Sequence, residues 1–433
     1  MAAKRVAIVG AGLAGLAAGL ELKHAGCTVD VFERSRLLGG RATSFEIGGR
    51  EVDNGQHVFL QCCSAFVGFA RRVGMADTLH VQPRFDARII ARSGLQSRLR
   101  AANLPAPLHL LASFAGYRHL SIGGRVRVAR ALAVAHRTPD PRDVTFDRWL
   151  ARNGQTPETI AAFWDPFFVP AVNAPLDRVS TEDALFVLRT AFLGDARAAC
   201  FGFSLVPLAH LAQAAARMLD DVRLQTAVTG IDVASDTIRL ELAGGEQMTY
   251  DAAVLAIAPP GLARLLRDGS TFAIEGVDRF EAFPIVDVHL WHDGGSIGFD
   301  FAALLESPVQ WIFEKAPGYL CASMSAAGEY ATLSTADLVQ TAWREASNAI
   351  PSLHRAHLVE ESVTRNPNAT YLPPLGATRP GQRTSYANLA IAGSWTQTGW
   401  PDTMEAAVRS GAAAAKVLVD GFSLAKKGVP SVA

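Results

Sequence analysis

The sequence predicts an α/β protein, in which a Rossmann-like dinucleotide-binding domain is joined to a second, mixed α+β domain. Three observations predict it. A strand runs into G-x-G-x-x-G at Gly10, Gly12 and Gly15, and a strand, glycine turn and helix recur from Leu389 to Gly411. The chain's 433 residues, 49% of them hydrophobic, suit two cores better than one.

Val6 to Val9 is a continuous apolar run that reads as a buried parallel strand, and an amphipathic helical pattern opens at the glycines. The three glycines have separate jobs: a tight turn, a bare backbone that approaches a pyrophosphate, and a small surface where helix meets sheet. With Ala11, Leu13 and Ala14 between them, they place phosphate charge at the helix N-terminus, where free N–H groups and the helix dipole favour an anion. The second strand, Thr28 to Phe32, ends at Glu33, whose carboxylate suits a ribose 2′-hydroxyl and repels a 2′-phosphate. This pattern specifies ADP and does not choose between flavin and nicotinamide.

Directly after Glu33 come Arg34, the Gly39-Gly40 pair, Arg41 and Ala42. The glycines let backbone pass close to a ligand, and Arg41 can fork onto pyrophosphate oxygens. NAD dehydrogenases carry no such second element. Residues 4 to 57 resemble the FAD-dependent amine oxidase and carotenoid desaturase superfamily, in which these glycines, the ribose acid and the following G-G-R bind FAD. The resemblance implies that Asp53-Asn54-Gly55-Gln56-His57 lies near the isoalloxazine, with Gly55, Gln56 and His57 in the cofactor site. Within the superfamily the chain looks closest to the squalene-associated branch, the hydroxysqualene dehydroxylases of hopanoid synthesis.

Lys+Arg and Asp+Glu both total 41, so no global field favours nucleic acid, and no basic nucleic-acid module is present. Cys27, Cys62, Cys63, Cys200 and Cys321 have no metal spacing, and their odd number fits a reduced, cytoplasmic protein better than a disulfide framework. No apolar run reaches the length of a membrane span.

From Ala87 to Pro139 there is no acid but there are nine arginines: Arg88, Arg92, Arg98, Arg100, Arg118, Arg125, Arg127, Arg130 and Arg137. Between Arg100 and Arg118 the chain is apolar, and the helical pattern after it puts Val126, Ala129, Leu132 and Ala133 on one face. Two readings stand for residues 98–137: a peripheral contact with the inner face of the cytoplasmic membrane, or a helix pair of the substrate domain with a solvated basic face. Amphipathicity does not separate a protein core from a bilayer.

Further on, Trp164, Phe167 and Phe168 cluster around Asp165 and Asn173, either as plain core or as the lining of a tunnel for a long hydrocarbon. Leu205 to Leu219 reads as a helix and Val222 to Val228 as a strand, and the resemblance puts the Val228 backbone against adenine. Ile238 to Leu242 and Met248 to Ile257 read as a small antiparallel sheet around Gly244-Gly245. Ile285 to Trp291 and Thr332 to Ile350 belong to mixed structure whose chemistry is not readable.

At the C-terminus the resemblance implies that Gly393, Ser394, Thr403 and Met404 cradle the ribityl chain and flavin, with the last helix pointing its N-terminus at the ring. Ser394 departs from the superfamily, where aspartate is usual, and offers a hydroxyl in place of a charge-assisted bond. No cysteine lies near this motif, so FAD is expected to be non-covalent.

The expected domains are 1–84, 200–265 and 370–433 for FAD, and 85–199 with 266–369 for a long-chain isoprenoid substrate. The reaction implied is reduction of hydroxysqualene to squalene. A proton for the departing hydroxyl is assigned to Asp165, in an apolar setting that raises its pKa, or to His57, while Trp164 or Phe167 offers a ring face to the cation. No residue pattern specifies an electron donor. The alternatives are a polyene desaturase or amine oxidase, and a prenyl-binding carrier of the same fold without flavin.

Overall fold

The computed structural model describes residues 3–136, 141–267 and 273–426. A five-stranded parallel sheet has the order Asp221–Arg223, Thr28–Phe32, Arg5–Val9, Ala252–Leu255, Leu389–Ile391, so its strands come from the beginning, middle and end of the chain. Apolar side chains cover both faces of the sheet, as the unbroken Val6–Val9 run requires. Val6 and Ile8 point into a core shared with the helices Leu13–His24, Ser64–Arg72, Ala209–Ala216 and Met404–Lys426, while Ala7 and Val9 point the other way. There the antiparallel strands Val228–Val233, Ile238–Leu242 and Gln247–Tyr250 complete the layer.

Four sequence expectations change. The Leu13–His24 helix is not amphipathic: it is buried on nearly every side from Leu13 to Leu22, because the C-terminal helix covers the face that would meet solvent. Gly411 allows that contact, since a Cβ there would lie 2.1 Å from the Ala14 carbonyl oxygen. The expected strand Val222 to Val228 breaks at Gln225, whose φ of 53° and amide bond to the Ser35 carbonyl turn the chain from one sheet to the other. Met248 to Ile257 likewise splits between two sheets, and the helix expected from Leu205 begins at Ala209, after the strand Phe201–Ser204.

A second sheet of seven strands runs Leu358–Leu372, Glu281–His292, Tyr319–Ser325, Trp311–Ala316, Phe301–Leu305, Asp86–Ala91, Gln96–Arg100. One face packs Val286, Val288, Leu290, Ile312 and Met324 against the helix Thr335–Ala349. The other meets a helical layer that includes Asp165–Val172 and Thr181–Leu188. Asn173, buried at a left-handed helix end, ties that layer to the sheet: its side chain donates to the Phe283 carbonyl and accepts the Ala326 amide.

Candidate active site

The N-terminal glycines divide their work as their positions demand. A Cβ on Gly10 would lie 2.5 Å from the Ala256 carbonyl, and one on Gly15 would lie 2.0 Å from the Gly10 carbonyl, so both are fixed by packing. Gly12 differs: its nearest neighbours stand at 3.9 Å, leaving its Cβ direction open. The helix it caps has no capping side chain and no acid in its first turn, so its positive end suits an anion. Gly39 bridges to Gly12 and donates its amide to Ala11, which lays the second glycine loop along the first. Glu33 is pinned beside them, its carboxylate accepting the Ala11 and Ser35 amides at 2.8 Å each.

Arg34 is exposed at the rim of this cradle, and Ala42 is buried behind it. The Thr43 hydroxyl is buried without a hydrogen-bond partner. An open glycine, an uncapped helix end and an orphaned hydroxyl along one groove fit a pyrophosphate-linked cofactor. Val228 starts the outer antiparallel strand, and its amide lies in the segment that follows the turn on Glu33.

Arg41 makes a contact that sequence reasoning missed. Its guanidinium closes on Asp402 with bonds of 2.8 and 2.9 Å, reaches Ser394 Oγ, and donates to the Ala369 carbonyl at 2.8 Å. Asp402 also accepts the Tyr371 amide at 2.6 Å, and Arg41 lies over the Tyr371 ring. The buried acid beside Ser394 is therefore Asp402, and it joins the G-G-R loop to the last helix. Thr403 caps that helix by accepting the Ala406 amide, and Met404 begins it. Gly393 donates its amide to Ser410 within the same helix.

The Asp53–His57 segment is held from below by the seven-stranded sheet. Gly55 has φ of 102°, and a Cβ there would lie 2.8 Å from Asp287 Oδ2. His57 Nδ1 lies 2.9 Å from the Gly55 carbonyl, and burial lowers the imidazole pKa, which disfavours the cationic acid form. Gln56 is half-buried beside it. Asp53 accepts the Ser44 hydroxyl and the Leu208 amide, and it faces Lys315 Nζ at 3.7 Å. Lys315 stands at a β-bulge between Glu314 and Ala316, where the extra residue turns its side chain toward the loop.

Paired residues in adjacent strands share a face, so the register defines a wall. One row runs Thr364, Asp287, Ser323, Trp311, Ala303, and the next Ser362, His289, Cys321, Phe313, Phe301. The wall is therefore aromatic at one end and polar at the other. Phe167 on the helical layer faces Trp311 with ring centroids 6.0 Å apart, and Trp311 Nε1 donates to the Pro166 carbonyl.

The predicted aromatic cluster divides. Trp164 is wholly buried among Phe146, Phe163 and Phe168, with its indole bonded to Gln155, so Trp164 and Phe168 are core and offer no ring face to a substrate. Phe167 remains at the wall. Asp165, on the same helix, has its carboxyl pushed up to about 6 by burial, the direction its apolar setting implied. Asp287 was missed, although the alternation of Val286, Val288 and Leu290 with Asp287 and His289 marks a strand with one polar buried face.

A family model described as flavin containing amine oxidoreductase matches residues 13–419. The chain belongs to that family. It is 28% identical to a hydroxysqualene dehydroxylase of Rhodopseudomonas palustris, over 96% of this chain and 98% of the relative. It is 25% identical to one of Zymomonas mobilis, over 94% and 97%, and 24% identical to a zeta-carotene desaturase of Zea mays, over 94% and 82%. A putrescine oxidase structure superposes with a TM-score of 0.76 at 17% identity, covering 97% of this chain and 99% of that one. As a flavin-containing amine oxidoreductase the protein is an FAD-dependent oxidoreductase, and the cradle fits that cofactor.

Proposed function

We propose that this flavoprotein reduces hydroxysqualene to squalene. The observation that carries the reading is the match to dehydroxylases of 25–28% identity that pair almost end to end with this chain. A half-buried Phe167, at the edge of a large apolar core that includes Trp311, Phe313 and Phe301, supports it, because an isoprenoid needs apolar surroundings along its length and chemistry at one carbon. The Gly10–Gly15 and Gly39–Ala42 loops hold the pyrophosphate, Glu33 the ribose, and Ser394 to Met404 the far end of the cofactor. Reduced FAD supplies the hydride when bound. The protein's own part is to exclude water, align the allylic carbon and deliver a proton to the leaving hydroxyl.

The zeta-carotene desaturase relatives favour a second reading, removal of hydride from a polyene. Anaerobic mixing decides between them. On the first reading, photoreduced enzyme is reoxidised by hydroxysqualene and squalene is recovered by gas chromatography with mass spectrometry. Flavin that stays reduced with hydroxysqualene, while oxidised enzyme is bleached by zeta-carotene, transfers the assignment to the desaturases.

The same reading includes a bilayer as the source of substrate, met by the protein at the cytoplasmic face of the membrane. No helix among the described residues is long and apolar enough to cross a membrane. The helix Ile122–Ala135 buries Gly124, Val128, Ala131 and Ala135 in the protein; of the apolar face expected at Val126, Ala129, Leu132 and Ala133, Leu132 packs against the core while Val126, Ala129 and Ala133 are exposed. Ile122 is 76% exposed and Val126 54%, and Leu104, Leu108 and Leu111 are exposed beside them. Of the nine arginines, Arg98 and Arg100 pair with Asp86 and Arg92 with Glu345. Arg88 lies over the Phe299 ring, and Arg137 is outside the described residues. Arg118, Arg125, Arg127 and Arg130 pair with no carboxylate among the described residues, and they fit anionic headgroups around the apolar patch. Phe114, on the adjoining helix Leu111–Ala115, contacts Phe163, which contacts Phe167, so rings connect the patch to the wall.

A further inference from the structure

Proton delivery in this reaction has two sequence-derived candidates, Asp165 and His57, and the structure adds a third acid in a different place. Asp287 is 1% exposed, at the middle of the longest antiparallel pairing in the seven-stranded sheet. It stands where three surfaces meet: the aromatic wall through Trp311 and Ser323 in its own row, the polar row through Cys321 and His289, and the Gly55 loop against its Oδ2. Asp165 has the apolar setting without the loop contact, and His57 has the loop without the charge state.

We propose that Asp287 is the acid that protonates the departing hydroxyl oxygen of the substrate. The inference rests on the reading of the chain as a dehydroxylase. The Asp287 carboxyl gives its proton to the hydroxyl, the C–O bond breaks with its electron pair leaving on water, and a hydride from the reduced flavin fills the allylic carbon. Substrate is reduced by two electrons, flavin is oxidised by two, and the carboxylate regains a proton from solvent.

The surroundings suit an acid that exchanges its proton near neutrality. Burial pushes the carboxyl up to about 6, against the Ser323 hydroxyl, the Gln56 amide, the Cys321 thiol and the Lys315 charge, each of which favours the ionised form. Thr364 faces it from the outer strand. Gly55 is required by the same geometry, because its left-handed φ and the 2.8 Å approach leave no room for a side chain between loop and acid.

The test is Asp287→Asn in the holoenzyme, with Asp165→Asn alongside. Asp287→Asn is expected to retain flavin and the spectral change on adding hydroxysqualene, while single-turnover reoxidation falls roughly 100-fold or more. In wild type that rate declines as pH rises through about 6, since the acid form is lost, and Asp287→Asn abolishes the inflection. Protonated-carboxyl infrared absorption that titrates in the same range, in protein without substrate, has contributions from both Asp165 and Asp287; Asp287→Asn removes one of them, identified by difference against Asp165→Asn. Should Asp287→Asn fail to fold, Cys321→Ala serves: removing a donor to the ionised form moves the inflection to higher pH. Wild-type rate and pH profile in Asp287→Asn, loss of the inflection in Asp165→Asn instead, or an unmoved inflection in Cys321→Ala each overturn the assignment. Wild-type enzyme that does not act on hydroxysqualene counts against the dehydroxylase reading, and the infrared titration still reports on Asp287.

Discussion

Arg41 forks onto Asp402 with two bonds of 2.8 and 2.9 Å, across 361 residues of chain. The pair joins the second glycine loop to the segment before the last helix, and its bonds to Ala369 and Tyr371 reach the end of the long strand of the seven-stranded sheet. An arginine read from sequence as a pyrophosphate ligand has its guanidinium engaged by Asp402, Ser394 and Ala369 and fastens the two halves of the cradle.

Removing Asp402 is expected to be costly, because it leaves Arg41 without its counter-ion. Asp402→Ala should lower unfolding stability by about 3 kcal/mol in urea titration. Burial by itself raises the Asp402 carboxyl, and the Arg41 fork outweighs it and holds the group below the usual carboxylate range. A carboxylate depressed in the folded state stabilises above its unfolded pKa of roughly 4, and that contribution is lost as pH falls through the lower folded value. Asp402→Asn should therefore melt lower than wild type at pH 7 and show a shallower further loss in acid. Parallel melting curves across that range contradict the pairing.

Gly12→Val separates binding from folding. The open Cβ direction at Gly12 lets the fold accept the side chain, which then occupies the path of the pyrophosphate. Purified variant should be colourless with wild-type circular dichroism, whereas Gly15→Val, 2.0 Å from the Gly10 carbonyl, should not fold at all. Full flavin content in Gly12→Val rejects this placement of the cofactor.

The outward apolar face of Ile122–Ala135 predicts lipid binding. Wild type should sediment with phosphatidylcholine vesicles containing phosphatidylglycerol, less so at high salt. Leu111→Asp combined with Ile122→Asp should weaken that binding roughly tenfold while flavin content and melting temperature stay unchanged. Equal sedimentation of variant and wild type rules out this face as the contact.

The first strand, the three glycines, Glu33 and the terminal glycine turn were legible without a structure because each is a local demand: a backbone angle, a bare Cα, or an acid at the end of a strand. The α/β class, the family and FAD followed from them. The sequence also contained an apolar stripe at Val126, Ala129, Leu132 and Ala133 but could not say that the protein would take Leu132 and leave the other three exposed, since that depends on which partner element arrives. Tertiary structure alone put Asp402 beside Ser394 and Asp287 beneath Gly55. Ser394 and Asp402 share one loop but are brought together on the guanidinium of the distant Arg41, and Asp287 meets the distant Gly55 loop through strand register, which no local signal specifies.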